Sequence, residues 1–225
     1  MRIQENIKQL TYLLPDGVQL VAVSKTKPIE YIEEAYQVGQ RVFGESRPQE
    51  MASKYQALPK DIEWHMIGHL QDKNVKYIAS FVTLIHSVDS LKLLCKINRE
   101  AEKQNRVIDC LLEFHIAKEE TKSGFKLPDA EQVLASEEFK MLTHIRIVGV
   151  MGIATYTENE DEVIQEFQNL QDIFKTLQQT FFADKAYFKE LSMGMSEDYE
   201  LAIKEGSTMV RIGSSIFGER AYNIK

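Results

Sequence analysis

Cysteine is scarce in this chain of 225 residues, and the two present, Cys95 and Cys110, are not spaced as CxxC. Cys95 falls in a helical pattern and Cys110 in a strand, so buried thiols are expected rather than a disulfide framework or a structural zinc site. Long apolar runs are missing too, and none reaches the length needed to cross a bilayer. The first residues, Met1 to Asn6, lack the apolar core of a secretory signal, so a cytoplasmic location without membrane partners is expected. Positive charge is in deficit: 27 Lys and Arg stand against 34 Asp and Glu, a formal charge of −7. That balance argues against nonspecific binding to a nucleic-acid backbone. The five histidines do not form HExxH, and a strand ends between His65 and His69, so no metal site is expected. Gly149-Val150-Met151-Gly152 is not a dinucleotide fingerprint and reads as a place of tight packing.

What the chain does have is repetition of one kind. After a helix over residues 2–14, apolar strand-like runs alternate with amphipathic helical patterns, with no linker or low-complexity tract between them. The strands are expected over 18–25, 41–45, 63–68, 84–88, 107–116, 144–151, 187–193 and 208–212. Helices are expected over 28–38, 48–57, 73–80, 91–104, 128–136 with a short piece to 141, 159–179 and 197–205. Eight alternations fit an α/β fold of one closed parallel (β/α)8 barrel, a single domain over 1–225 behind an N-terminal helix. In such barrels the working residues stand at the C-terminal ends of the strands.

Lys25 stands at the end of the first strand. An amine there, partly shielded from water, would have a lowered pKa and could form an imine with an aldehyde; the other reading is a solvated turn lysine. Lys27 is either a nearby charge that makes Lys25 less basic or a surface residue. Arg211 lies inside the apolar run Met209-Val210-Arg211-Ile212, where a cation needs a ligand or a buried carboxylate such as Glu113. Beside a pyridine nitrogen, a guanidinium would keep that nitrogen unprotonated. Gly213-Ser214-Ser215 and Leu191-Ser192-Met193-Gly194-Met195-Ser196 are small-residue segments after the last two strands, where barrels gather phosphate. The loop over 117–127 carries Lys118, Lys122 and Gly124. His86 and His144 read as strand residues satisfied locally, and His115 as one that can approach the rim.

Val21 to Pro28, Phe43-Gly44-Glu45, Trp64 to Gln71, Leu191 to Ser196 and Val210 to Gly218, taken in order, resemble the pyridoxal-phosphate homeostasis protein family. The resemblance spans nearly the whole chain and implies a fold similar to the N-terminal barrel of alanine racemase. It implies pyridoxal 5'-phosphate (PLP) as cofactor, held as an internal aldimine, a Schiff base, on Lys25, with Arg211 near the pyridine nitrogen. Ser192, Met193, Gly213 and Ser214 map onto the phosphate-binding positions, and Met151 and His65 onto pocket walls. Two departures stand out: Ser46-Arg47 replaces the usual Asn and aromatic residue after Phe-Gly-Glu, and Lys73-Asn74 transposes the usual Asn-Lys order.

The implied function is vitamin B6 homeostasis, in which PLP is stored, buffered or delivered through reversible imine exchange. The implied partners are PLP, amino acids and PLP-dependent apoenzymes. The alternative is weak PLP-dependent amino-acid racemisation or a related reaction, opposed by Arg211 and by the lack of a recognisable acid–base partner. Catalytic turnover stays open, and a monomer is expected because no second catalytic chain is required.

Overall fold

In the computed structural model, which describes residues 2–118 and 123–219, the eight strands close in chain order into one parallel barrel. They are β1 (Gln19–Val23), β2 (Val42–Glu45), β3 (Glu63–Met66), β4 (Leu84–Val88), β5 (Ile108–Phe114), β6 (Ile145–Gly152), β7 (Glu190–Met195) and β8 (Met209–Ile212). The helices are α1 (Ile3–Leu13), α2 (Ile29–Gln37), α3 (Pro48–Ala57), α4 (Leu91–Lys103), α5 (Leu127–Ala135), α6 (Glu137–Lys140), α7 (Glu160–Thr180), α8 (Tyr199–Lys204) and α9 (Ser214–Phe217).

Alternation along each strand sorts its residues between two cores. Outward positions such as Leu20, Ala22, Phe43, Trp64, Leu112 and Val210 join the large cluster between barrel and helices. Leu84, Leu111, Val148, Met151 and Met209 form a separate small cluster, the apolar filling of the barrel itself. By the same period of two, Val21 and Val23 share the inward parity on β1, as do Leu111 and Glu113 on β5 and Met209 and Arg211 on β8. The register joins these sides, since Val21 of β1 lies beside Arg211 of β8.

Several boundaries differ from the sequence-based expectation. β1 ends at Val23, so Lys25 lies in the turn beyond the strand rather than inside it. The segment expected as a helix over 73–80 is a 3₁₀ helix over Asp72–Tyr77. β7 begins at Glu190 and runs to Met195, with a register irregularity against β8. Gly149 serves backbone rather than side-chain packing, because a Cβ there would overlap the Glu190 carbonyl of β7. Ser214 and Ser215 open α9, a single helical turn where the small residues Gly213-Ser214-Ser215 predict a loop. Lys122 lies outside the described residues.

Candidate functional site at the C-terminal mouth of the barrel

The turn carrying Lys25 is fixed from beneath by a buried charge cluster. Glu45, wholly buried at the end of β2, accepts from Ser24 Oγ at 2.6 Å and from Lys54 Nζ at 2.8 Å. Lys54 reaches in from α3, only 5 % exposed, and donates also to the Ser24 carbonyl at 2.8 Å and to Glu50 Oε1 at 2.7 Å. Glu50 in turn accepts from the Thr26 N–H at 2.6 Å. Both residues flanking Lys25 are therefore clipped to one cluster, which supports the left-handed backbone at Thr26, φ 64°. Burial pushes the Glu45 carboxyl above its ordinary value, and the adjacent Lys54 opposes that rise.

Lys27 has a separate task. Its ammonium donates to the carbonyls of Phe217, Gly218 and Glu219 at 3.1, 2.8 and 2.9 Å, tying the β1–α2 loop to the end of α9. Asn6 of α1 donates to the Ile216 carbonyl at 3.0 Å, so α9 is held from two sides.

Lys25, itself half-buried, lines a cavity of about 350 Å³ with Ser46, Ile67, Gly68, His69, Glu113, Phe114, His115, Ile116, Ser123 and Ile153. Ser46 packs hard against Gly68, where any Cβ would come within 2.7 Å of it. Glu113 is 7 % exposed; its Oε1 accepts from Ser123 Oγ at 3.3 Å, while Oε2 is shielded from solvent and has no hydrogen-bond partner among the described residues. Burial, then repulsion from Asp89, raises the Glu113 pKa, and Ser123, Arg211 and His69 pull it back. A larger hollow of about 430 Å³ lies at the opposite end of β1 and β2, but Arg41, the one cation lining it, is paired to Asp61 at 3.1 Å.

Arg211 lies in a second, deeper layer. It is 4 % exposed and donates to the Ser192 carbonyl at 2.9 Å, to Ser192 Oγ at 2.7 Å and to the Gly152 carbonyl at 3.1 Å. Among the described residues no carboxylate forms an ion pair with it, so the pairing with Glu113 considered above is not made. Loss of hydration brings the guanidinium pKa down to about 10, against the attraction of Asp198 and Glu113.

The Ser192 hydroxyl extends this layer across the barrel. His86 Nδ1 lies 3.0 Å from Ser192 Oγ, and His86 Nε2 lies 3.0 Å from His65 Nδ1. Because Arg211 can only donate, Ser192 Oγ accepts from it, and the same hydroxyl is the partner of His86 Nδ1. Both rings are buried and held neutral: desolvation takes His65 down to about 3, and His86 falls well below its ordinary value through burial and the neighbouring His65 and Arg211 charges.

At the β7–β8 rim, Gly194 takes φ 93° and leaves no room for a Cβ, which would lie 2.6 Å from the Ala202 Cβ. The Gly213 N–H donates to Ser196 Oγ at 3.2 Å, and Ser214 is exposed at the head of α9. The proposed phosphate positions thus separate: Gly213 and Ser214 stand at the rim, Met193 is buried in the outer core, and the Ser192 hydroxyl serves Arg211 and His86. Sequence reasoning missed Lys54 and Glu50, whose shared task is to hold the turn around Lys25, and the His65–His86 pair, which is twenty-one positions apart. For Lys54 the only available signal was a lysine among the apolar positions of α3.

Residues 1–221 match the family described as alanine racemase, N-terminal domain. The pyridoxal phosphate homeostasis protein of Aquifex aeolicus is 42 % identical over 205 residues, covering 91 % of this chain and 88 % of that protein. Its counterpart from Escherichia coli is 34 % identical over 218 residues, covering 94 % of this chain and 89 % of that protein. PipY of Synechococcus elongatus, solved with PLP bound, superposes with a TM-score of 0.87 at 35 % identity, covering 96 % of this chain and all of the other (100 %). An alanine racemase from Clostridium difficile shares the fold at TM-score 0.75 and 16 % identity, this chain spanning 60 % of its length. With its closed barrel and these relatives along nearly its full length, the chain belongs to the pyridoxal phosphate homeostasis protein family.

Proposed function

We propose that this protein holds PLP reversibly through Lys25 and thereby buffers or delivers the cofactor to amine ligands and apoenzymes. The observation that carries the reading is a lysine in a clamped turn, lining a cavity beside a strand that buries an arginine without a carboxylate partner among the described residues. A volume of about 350 Å³ falls within the range of roughly 300–1,000 Å³ typical of small-molecule sites. Lys25 fits the group as an amine for its aldehyde; Arg211 and the Gly213–Ser214 rim, which stand outside the lining of that cavity, match its ring nitrogen and its phosphate in chemical type.

When bound, PLP supplies an aldehyde that condenses with a primary amine and a ring that can withdraw electrons. Lys25 Nζ is the attachment point, and the Glu45–Lys54–Glu50 cluster keeps its turn in place. Arg211 contributes a proton that it does not surrender, so a ring nitrogen facing it stays unprotonated and the ring draws electrons weakly. That electrostatic setting favours holding the cofactor over labilising a substrate Cα–H bond. Ser192, His86 and His65 fix the guanidinium from below.

Titrating the purified chain with PLP should produce a protein-bound absorption band distinct from that of the free aldehyde, and Lys25→Ala should abolish it. An undiminished band in Lys25→Ala would reject Lys25 as the attachment point. Delivery is read separately: transfer to an apoenzyme should outpace that from an equal concentration of free PLP.

A further inference from the structure

Glu113 has no role in the reading above, yet it lines the same cavity as Lys25. Among the described residues its Oε1 is engaged by Ser123 alone, and its Oε2 is buried with no donor. A carboxylate oxygen removed from water without a donor is costly, so a site of this kind is completed by a ligand that brings N–H groups and positive charge. A protonated primary amine brings both.

We propose that Glu113 docks the ammonium group of a primary amine or amino acid and takes its proton, so that this amine can displace PLP from Lys25. The inference rests on the PLP-holding function proposed above and names the ligand class that empties the site. A primary amine is protonated at neutral pH and has no lone pair for attack until a base removes one hydrogen. Glu113 is suited to this, because burial and Asp89 make its carboxyl more basic than an exposed one, with Ser123, Arg211 and His69 opposing. His69 Nδ1 lies 3.5 Å from Asp89 Oδ2 at the same mouth, so Asp89 faces His69 there.

The exchange balances without an oxidant or reductant. One ammonium proton passes to Glu113 Oε2, and the freed nitrogen attacks the carbon double-bonded to Lys25 Nζ. The C=N bond is remade to the incoming nitrogen as the bond to Lys25 breaks. The other two hydrogens of the incoming amine move to Lys25 Nζ, and Glu113 returns its proton there. Lys25 leaves as an ammonium, and Glu113 ends as the carboxylate it began as.

The test compares two probes on PLP-loaded wild-type protein and Glu113→Gln, following decay of the bound absorption band at pH 7. Methylamine is protonated at that pH, whereas methoxyamine is already neutral and needs no base. Glu113→Gln should slow methylamine-driven release by about ten-fold or more, the low side of general-base effects, and leave methoxyamine-driven release within about two-fold. Equal slowing of both probes, or of neither, would overturn the proposal, since a merely structural role cannot distinguish them. A second readout needs no cofactor: in the PLP-free chain the Glu113 carboxyl ¹³C signal should shift with methylammonium and stay unmoved with methanol. No shift would sink the docking site. Failure of wild type to form the bound band would instead refute the PLP-holding function, with the ammonium site still decided by the carbon signal.

Discussion

Replacing Lys54 with methionine tests whether the cluster under Lys25 is as dry as its geometry indicates. Lys54→Met keeps the length of the side chain and removes the ammonium that bonds Glu45, Glu50 and the Ser24 carbonyl. Glu45, wholly buried, loses the ammonium paired to it and keeps the Ser24 hydroxyl as donor, a change that typically costs about 3–5 kcal/mol. It can escape by taking a proton, at about 1.4 kcal/mol for each pH unit above its ordinary value. With 4.5 as that value, neutralisation at pH 7 costs about 3.4 kcal/mol and at pH 5 about 0.7 kcal/mol. Adding about 1 kcal/mol for the severed bonds gives a loss of about 4 kcal/mol at pH 7 and below about 2 at pH 5.

The sign follows from linkage: a carboxyl whose folded pKa is raised binds more protons folded than unfolded, so its contribution to stability falls as pH rises above 4.5. At about 2–4 °C per kcal/mol for a chain of this size, Lys54→Met should melt roughly 8–16 °C lower at pH 7, and by much less at pH 5. Adding Glu45→Gln to Lys54→Met should recover part of the loss at pH 7 and little at pH 5. Urea unfolding at both pH values provides the free energies. A loss under about 1 kcal/mol at pH 7, or one independent of pH, would refute the picture of a sealed cluster.

Other predictions are local. Arg211→Met removes a charge that holds His86 down, so the His86 ring should titrate at higher pH than in wild type, as ¹H–¹⁵N correlation of its ring nitrogens would show; an unmoved titration would contradict the Ser192-bridged contact. Gly149→Ala should destabilise by about 3 kcal/mol, because the added methyl meets the Glu190 backbone rather than a yielding side chain, and a wild-type melting temperature would show that β6 and β7 separate freely.

Much of the fold was legible because each strand of the barrel carries its own signal. Apolar alternation marked the eight strands, and the polar or small residues at their ends marked the mouth. The 3₁₀ helix Asp72–Tyr77 was taken for an α-helix because six residues are too few to separate a three-residue from a four-residue repeat. Lys25 and Arg211 were visible as charges at or within apolar strands. Their supports were not. Glu45 and Lys54 are nine positions apart on a strand and the helix after it, His65 and His86 are twenty-one apart on neighbouring strands, and Ser192 reaches its partners across the barrel. Ser192 was visible only as a small residue near the end of β7; its bond to the Arg211 guanidinium appears once β7 and β8 pair. Glu113 stood out as a charge in β5, but only the closed barrel puts it in the cavity of Lys25.

The account turns on which nitrogen meets the cofactor. Borohydride reduction of the PLP-loaded protein, followed by peptide mass mapping, should place a single pyridoxyl label on Lys25. A label on Lys27 or Lys54, or reduction that leaves the Lys25 peptide unmodified while the bound band disappears, would contradict it.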